Sequence, residues 1–92
     1  MHATIRSYSG GDVADTLVPH ADEIREVISP IAGFRAYYLL RTADGATTIS
    51  VFDDESGAEE STRAAAAWIA EKLPDASFGA PQVTSGEVAV SF

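Results

Sequence analysis

The order in which strand-like and helix-like segments alternate along the chain constrains its fold more than any other feature. Apolar residues at every second position predict a strand, and apolar residues spaced three or four apart predict a helix. By these patterns the sequence predicts strand, helix, strand, strand, helix and strand. The predicted strands cover residues 2–8, 34–42, 46–52 and 82–92, and the predicted helices cover residues 13–28 and about 54–73.

Turn and bulge signals separate the predicted strands. The segment Ala43-Asp44-Gly45 carries the Asp-Gly signal of a β-hairpin, so the two central strands are expected to pair antiparallel. Gly86 lies where the alternation of the last strand changes phase, which predicts a bulge or a break at that residue.

The two predicted helices each leave an alternative open at one point. Pro19 lies inside the first helix, so that helix is either bent around Pro19 or broken near Val18. The second helix begins either with Ser56 in a capping box with Glu59 or with Asp54 as its cap.

The order of the elements is the β-α-β-β-α-β pattern of the ferredoxin-like fold, an α+β architecture in which two helices cover one face of a four-stranded antiparallel sheet. A chain of 92 residues has room for one domain, which we expect to span residues 1–92. The chain has no cysteine, and His2 and His20 are its only histidines, so neither disulfides nor a metal site are expected. Self-association or a well-packed core is then the expected source of additional stability.

The chain is acidic, with 14 Asp and Glu against 6 Lys and Arg and a formal net charge of -8. A negative field repels phosphate backbones and anionic lipid surfaces, so neither a nucleic acid nor a membrane is an expected partner. Residues 1–8 lack the pattern of a signal peptide, and no apolar run approaches the roughly 20 residues of a membrane helix. A cytoplasmic location is therefore expected.

The two faces of the predicted sheet differ in polarity, and we assign the more apolar side of each strand to the face that the helices cover. The expected helix-covered set is Ala3, Ile5, Phe34, Ala36, Tyr38, Leu40, Ile49, Val51, Val88, Val90 and Phe92. The expected open face then holds Thr4, Arg6, Tyr8, Arg35, Tyr37, Leu39, Arg41, Thr48, Ser50, Phe52, Glu87, Ala89 and Ser91. This open face combines large apolar side chains with three of the five arginines of an otherwise acidic chain.

Two interpretations of the expected open face are compatible with each other. An apolar patch ringed by polar groups is typical of an interface, which predicts a homodimer through the open sheet face. Two such faces would also enclose a cavity between the two sheets, in which a small molecule binds. Arginine side chains favour an anionic or carbonyl-bearing ligand.

The candidate ligand-binding residues come from this face and from the two helices. Arg35 and Tyr37 are the first candidates for ligand contact. Trp68 either lines a cavity or packs in the core, and His20 is either a boundary histidine or a general base near a pocket mouth. The full candidate set is Arg6, His20, Arg35, Tyr37, Ser50, Phe52 and Trp68.

Several short segments carry a family resemblance. Ile28-Ser29-Pro30-Ile31-Ala32-Gly33-Phe34 leads into the second strand, and Ala66-Ala67-Trp68-Ile69 lies on the second helix. The pattern continues in Tyr37-Tyr38, Asp44-Gly45, Asp53, Gly57-Ala58-Glu59-Glu60-Ser61, Leu73-Pro74, Pro81 and Gly86-Glu87-Val88. In these features the sequence resembles the small dimeric α/β-barrel proteins related to antibiotic biosynthesis monooxygenases.

The resemblance implies a homodimer whose two sheets face each other, with the helices outside. Members of this group include cofactor-free monooxygenases that act on polyketide quinones, haem-degrading enzymes and proteins of unknown role. The haem-degrading branch uses an asparagine, and this chain has none, so no cofactor is expected. The quinone monooxygenases have no short motif to match, so the resemblance assigns no catalytic residue.

The sequence therefore predicts a small dimeric α/β-barrel protein that binds a small molecule in a cavity between its two sheets. The alternative is a cofactor-independent monooxygenase that acts on an aromatic or quinone-like substrate. Whether the chain is an enzyme is left open by its residues.

Overall fold

A computed structural model of the chain describes residues 1–10, 12–74 and 79–92. The elements follow the order that the sequence predicts. They are β1 (His2–Ser9), α1 (Val13–Leu17), a 3₁₀ turn (Val18–His20), α2 (Ala21–Ile28), β2 (Phe34–Thr42), β3 (Gly45–Phe52), α3 (Glu55–Lys72) and β4 (Gln82–Glu87).

The strands form one antiparallel sheet in the order β2-β3-β1-β4, which is the arrangement of the ferredoxin-like fold. The α1–α2 segment and α3 pack on the same face of this sheet. The predicted α+β ferredoxin-like fold is therefore confirmed.

The first predicted helix is two helices. Pro19 lies in the 3₁₀ turn between α1 and α2, which confirms the alternative with a break near Val18. A proline has no N–H to donate and its ring crowds the preceding turn, so the helical hydrogen-bond ladder ends there and restarts at Ala21. Both pieces still place apolar side chains against the sheet, including Leu17 and Ile24.

The β2–β3 hairpin turns at Ala43 and Asp44, and Gly45 pairs with Thr42 as the first residue of β3. A Cβ on Gly45 would lie 2.2 Å from the carbonyl oxygen of Tyr8, so only glycine allows β1 and β3 to approach each other here. The predicted hairpin is confirmed, and the glycine has a packing role in addition to its role in the turn.

The second predicted helix, α3, begins after Asp54, so Asp54 and not Ser56 occupies the N-cap position. Its side chain makes no capping hydrogen bond. Trp68 of α3 is buried and belongs to the hydrophobic core between the helices and the sheet.

The assignment of the two sheet faces was wrong. The helix-covered face consists of Thr4, Arg6, Tyr8, Ala46, Thr48, Ser50 and Phe52, all buried, with Tyr37 and Leu39 packed against them. Arg6 is stable on this face because Ser61 and Thr62 of α3 accept hydrogen bonds from its guanidinium group. The helices thus cover the less apolar face of the sheet.

The open face is the more apolar one. Ile5, Tyr38 and Leu40 are 37%, 57% and 42% exposed on it. Their register neighbours continue the patch across the three strands β2, β3 and β1: Ala3 pairs with Val51, and Ile49 lies between Ile5 and Tyr38. A contiguous apolar surface of this kind marks an interaction site.

A β-bulge in β2 contributed to the wrong assignment. Phe34 pairs with Phe52, but Ala36 pairs with Val51, so Arg35 is the extra residue and the alternation shifts by one. Phe34 therefore shares the helix-covered face with Phe52, with the two ring centroids 5.8 Å apart, whereas Ala36 belongs to the open face.

β4 is shorter than predicted. It ends at Glu87, whereas the sequence predicts a strand to residue 92. Val88 donates its N–H to the carbonyl oxygen of Met1, and beyond it Val90 and Phe92 are exposed. Val90 and Phe92 thus do not lie under the helices, contrary to the expectation from the sequence.

Within the described ranges, no helix combines the length and the apolar character needed to cross a bilayer. In the same ranges no three His, Asp or Glu side chains converge as a metal site would require.

Gly57, in the first turn of α3, is expected to be essential for the packing of this helix on β3. A Cβ there would lie 2.9 Å from the carbonyl oxygen of Ala32 and 2.9 Å from the ring of Phe52. We predict that Gly57→Ala lowers the free energy of unfolding by about 1–3 kcal/mol in urea titrations, although alanine is the better helix former.

Gly86→Ala is the matched control, since a Cβ at Gly86 meets no atom within 4 Å. It should change the free energy of unfolding by less than about 0.5 kcal/mol. Equal effects of the two substitutions would contradict this account of Gly57.

Candidate ligand-binding pocket

A pocket lies between the helices and the sheet, on the face where β1, β2 and β3 carry their polar residues. Residues of the strands β1, β2 and β3 and of the helices α1, α2 and α3 line it. The polar lining residues are Arg6, Tyr8, Tyr37 and Thr48, and the apolar ones are Leu17, Ile24, Val27, Ile28, Ala65, Trp68 and Ile69. Apolar walls with a few converging polar groups are the usual composition of a small-molecule site.

Arg6 of β1 is the charged residue of this pocket and is only 1% exposed. Its Nη1 donates hydrogen bonds to Ser61 Oγ and Thr62 Oγ1, each at 3.2 Å, and its Nη2 donates to Ser50 Oγ at 3.2 Å. Ser61 Oγ in turn donates to the carbonyl oxygen of Ala58 at 2.7 Å. The guanidinium group is thus fixed between β3 and α3 by neutral hydroxyl groups.

The positive charge of Arg6 has no carboxylate beside it among the described residues: none lies within 4.0 Å of its nitrogen atoms. Arg6 Nε has no hydrogen-bond partner in the same part of the chain. An arginine keeps its charge at every accessible pH, and a buried charge without a counter-charge costs free energy. The pocket therefore contains a positive charge that no carboxylate of the described residues balances, and the hydroxyl groups of Tyr8 and Tyr37 lie within hydrogen-bonding reach of Arg6.

The two tyrosines of the pocket do not supply the missing negative charge. Burial raises the pKa of Tyr8, and the neighbouring Arg6 charge lowers it only in part. Burial likewise raises the pKa of Tyr37, again opposed by Arg6. Both phenols are protonated at neutral pH, so they act as hydroxyl donors and acceptors there.

Thr48 adds a further polar group at the same place. It lies close to the Tyr37 hydroxyl, but its buried Oγ1 makes no hydrogen bond of normal geometry with the described residues. A buried hydroxyl without a partner is uncommon, since leaving it unpaired is destabilising. Thr48 Oγ1 and Arg6 Nε are thus two buried polar atoms without a partner among the described residues, and both belong to residues that line the same pocket.

Trp68 of α3 lines the pocket and contacts His20 of the 3₁₀ turn. Their ring centroids are 5.4 Å apart with an interplanar angle of 72°, an edge-to-face contact. His20 Nδ1 lies 3.0 Å from Glu23 Oε2 on α2, and the imidazole remains partly exposed. His20 therefore borders the tryptophan from outside and does not line the pocket itself.

The inner pocket is small, with about 20 Å³ of space, which is enough for one water molecule. A wider groove of about 420 Å³ lies beside it, between α2 and β2, and is lined in part by Arg25 and Leu39. The two share Ile24, Ile28 and Tyr37 as lining residues. A small displacement of these side chains would join the groove to the inner pocket.

Most of the residues that the sequence proposes for ligand contact are brought together. Arg6, Tyr37 and Trp68 line the pocket, and Ser50 holds the guanidinium group of Arg6. Because these residues lie between the sheet and the helices, they do not line a cavity between two sheets, and that part of the prediction from the sequence is wrong.

Two of the proposed residues lie elsewhere, in addition to His20 at the margin. Arg35 projects from the β2 bulge into solvent and forms an ion pair with Asp53, so it is not part of the pocket. Phe52 is fully buried against Phe34 and supports the sheet without lining the pocket.

Sequence reasoning missed the hydroxyl groups that surround Arg6. Ser61 and Thr62 lie on α3, and a helix pattern alone does not show which strand residue they meet. Tyr8 and Thr48 share the side of the sheet occupied by Arg6, and this shared register was the available signal.

No protein-family model matches the chain, and the search of curated proteins finds none similar to it. Solved structures do match over nearly the whole chain. The chain has the ferredoxin-like fold. A protein of unknown function from Nitrosomonas europaea has a TM-score of 0.71 at 16% identity, with 99% of this chain and 90% of that chain covered.

Two further structures extend the comparison. A monooxygenase from the ActVA-Orf6 gene of Streptomyces coelicolor, in complex with nanaomycin D, has a TM-score of 0.70 at 17% identity, with 99% of this chain and 88% of that chain covered. A dimeric ferredoxin-like protein from an uncultured marine organism has a TM-score of 0.63 at 11% identity, with coverage of 99% and 94%. The resemblance inferred from the sequence is thus supported at the level of the fold.

The raised pKa values of the pocket tyrosines predict a loss of stability at alkaline pH. Unfolding lowers these pKa values to about 10, so above that pH the unfolded state releases protons that the folded state retains. The free energy of unfolding should then fall as the pH rises from about 10 to 12, by at most about 1.4 kcal/mol per pH unit for each tyrosine.

The substitution Tyr37→Phe removes one of these groups and should make the alkaline loss less steep. Urea midpoints measured at intervals through this pH range provide the comparison. An unchanged slope in the Tyr37→Phe variant would show that Tyr37 titrates alike in the folded and unfolded states.

Proposed function

We propose that this chain forms one domain over residues 1–92 that binds a small aromatic molecule between its helices and its sheet, and that it works as a homodimer. The observation that carries the proposal is the pocket around Arg6 Nε, in which unused polar atoms meet an apolar and aromatic wall. Under this proposal Arg6, Tyr37 and Trp68 contact the ligand, and Tyr8 and Thr48 orient it. The lack of cysteine supports a cytoplasmic location as part of the same proposal.

The shape of the site supports ligand access from the side of α2. The outer groove is open to solvent along α2 and β2, and it meets the inner pocket at Ile24, Ile28 and Tyr37. The 3₁₀ turn at Val18–His20 interrupts the helical hydrogen bonds of this cover. A cover made of two short helices is easier to displace than one continuous helix, because fewer hydrogen bonds and contacts hold each piece.

The homodimer is supported by the open face of the sheet. Ile5, Tyr38 and Leu40 expose apolar surface to water in a single chain, and a second copy with the same face would cover it. The fold is shared with a dimeric ferredoxin-like protein, which is consistent with this arrangement. The pocket and the proposed interface then lie on opposite sides of one sheet.

The dimer is tested by placing a charge in the apolar face. We predict that Leu40→Asp raises the dimer dissociation constant at least about 100-fold in sedimentation analysis, because each two-fold interface then buries two carboxylates. Val18→Asp is the control, since Val18 is 47% exposed but lies on the 3₁₀ turn outside the sheet. Wild-type protein that stays a monomer at micromolar concentration would contradict the dimer.

Ligand binding is tested by filling the pocket. Trp68 is the only tryptophan of the chain, so its indole N–H resonance reports binding of one- and two-ring aromatic acids, phenols and quinones. We predict that Ala65→Met weakens binding of any compound that shifts this resonance by at least about tenfold, because the longer side chain occupies the pocket.

Ala67→Met is the matched control, because Ala67 lies on the exposed side of the same helix. It should leave binding unchanged. If no compound of the panel shifts the Trp68 resonance at millimolar concentration, the proposed binding function is wrong.

The second candidate function is a cofactor-independent monooxygenase that acts on an aromatic or quinone-like substrate. It is favoured by the shared fold with the Streptomyces coelicolor monooxygenase and by the presence of a tyrosine, a tryptophan and an arginine around one pocket. In such a reaction O₂ gives one oxygen atom to the substrate, and the other leaves as water with two hydrogens that the substrate supplies. Fold similarity alone does not establish this chemistry.

Oxygen uptake separates the two candidate functions. With an anthrone or a hydroquinone as substrate, a monooxygenase would consume O₂ in step with product, and Ala65→Met but not Ala67→Met would slow it. Binding of these compounds without oxygen uptake would support the binding function and contradict the monooxygenase function.

A further inference from the structure

We propose that the pocket selects an aromatic monoanion whose charge lies on oxygen, and that Arg6 is the counter-charge that the fold leaves unpaired for it. This inference rests on the proposed binding function. It concerns which class of molecule binds, and it can fail while the binding function stands.

The inference starts from the groups that face Arg6 on each element packed around it. On β3 the facing groups are the hydroxyls of Thr48 and Ser50, and on α3 they are those of Ser61 and Thr62. These groups are uncharged, and the tyrosine hydroxyls nearby are uncharged at neutral pH. The part of the chain that the structure describes thus offers Arg6 hydrogen-bond acceptors but no negative charge.

The position of the unused donor determines where an anion would sit. Nη1 and Nη2 are occupied by the hydroxyl groups, whereas Nε has no partner among the described residues. Arg6 is on the lining of the inner pocket, together with the unpaired Thr48 Oγ1. One oxygen of a bound anion can accept from Nε, and a second oxygen atom can pair with the Thr48 hydroxyl.

A bound anion also removes the cost of the buried charge. An anion that accepts from Arg6 adds the attraction between opposite charges to the hydrogen bond, and this attraction is stronger where water is excluded. A neutral ligand of the same shape would leave the Arg6 charge unpaired. The pocket is therefore expected to bind an anion more tightly than a neutral compound of the same shape.

The net charge of the chain and the lining of the pocket favour an anion that has a single charge and an aromatic ring. The chain carries a formal net charge of -8, so its field opposes the approach of multiply charged anions such as nucleotides. The pocket offers one cation, and its wall includes Trp68, Tyr37 and several aliphatic side chains. A flat apolar ring with one oxyanion matches both properties.

The test uses pairs of probes that differ in charge but hardly in shape. The first pair is benzoate and benzamide, and the second is 2-hydroxy-1,4-naphthoquinone, which is ionised at neutral pH, and its methyl ether. Dissociation constants come from titrations followed by the Trp68 indole N–H resonance. In the wild-type protein the anion of at least one pair should bind at least about tenfold more tightly than its neutral partner.

The variants assign that preference to Arg6. Arg6→Met should reduce it to within about twofold, and Arg6→Lys, which keeps the charge, should retain part of it. Arg35→Met is the control with the same change of net charge, because Arg35 is exposed and paired with Asp53 away from the pocket. It should leave the preference intact.

The outcomes distinguish this inference from the binding function on which it rests. Neutral and anionic probes that bind equally to the wild-type protein would overturn the inference and leave the binding function standing. A preference that persists in Arg6→Met would overturn it as well, since another group would then be the counter-charge. Failure of all four probes to bind would overturn the inference, and it would overturn the binding function as well if no other compound of the aromatic panel shifts the Trp68 resonance. If Arg6→Met does not fold, the inference is still tested by comparing the two probes of each pair in the wild-type protein and in the Arg6→Lys variant.

Discussion

A buried guanidinium group determines much of this structure. Arg6 lies at the centre of β1 and is held by Ser50 of β3 and by Ser61 and Thr62 of α3, so one side chain connects neighbouring strands to the helix above them. A buried charge needs several well-placed acceptors, and removing them would be costly. The hydroxyl-bearing residues on the sheet face and on α3 are therefore linked to one another through Arg6, and the pocket lies beside the one nitrogen that they leave unpaired.

The polar character of this face has a consequence for the other face of the sheet. Successive residues of a strand point to opposite sides, so Ile5 is open to solvent where Arg6 is buried, and Tyr38 is open where Tyr37 lines the pocket. The strands thus carry, in alternation, a set of residues that faces the helices and a more apolar set on the open face. A homodimer through the apolar set would hold the backbone of β1 and β2 rigid directly behind the pocket, which is where a binding site needs precise support.

Sequence reasoning succeeded where local signals decide and failed where tertiary packing decides. The element order, the hairpin at Asp44-Gly45 and the break at Pro19 each follow from nearby residues. The choice of sheet face did not, because the rule that helices cover the more apolar side assumes that the other side faces water. Here Arg6 on the polar side donates hydrogen bonds to residues about 55 positions away, as in the Arg6–Ser61 hydrogen bond, and the bulge at Arg35 shifts the alternation of β2. The pocket residues Arg6 and Tyr37 were still proposed together, because they share one side of the sheet whichever layer covers that side.

A crystal structure of the protein as purified tests the central claim most directly, since it shows what lies against Arg6 Nε and what covers the open face. The account predicts planar electron density between Trp68 and Tyr37 with an oxygen atom within hydrogen-bond distance of Nε, in a dimer whose apolar sheet faces meet. A pocket that holds only water, or an Arg6 paired with a carboxylate of the chain itself, would contradict it.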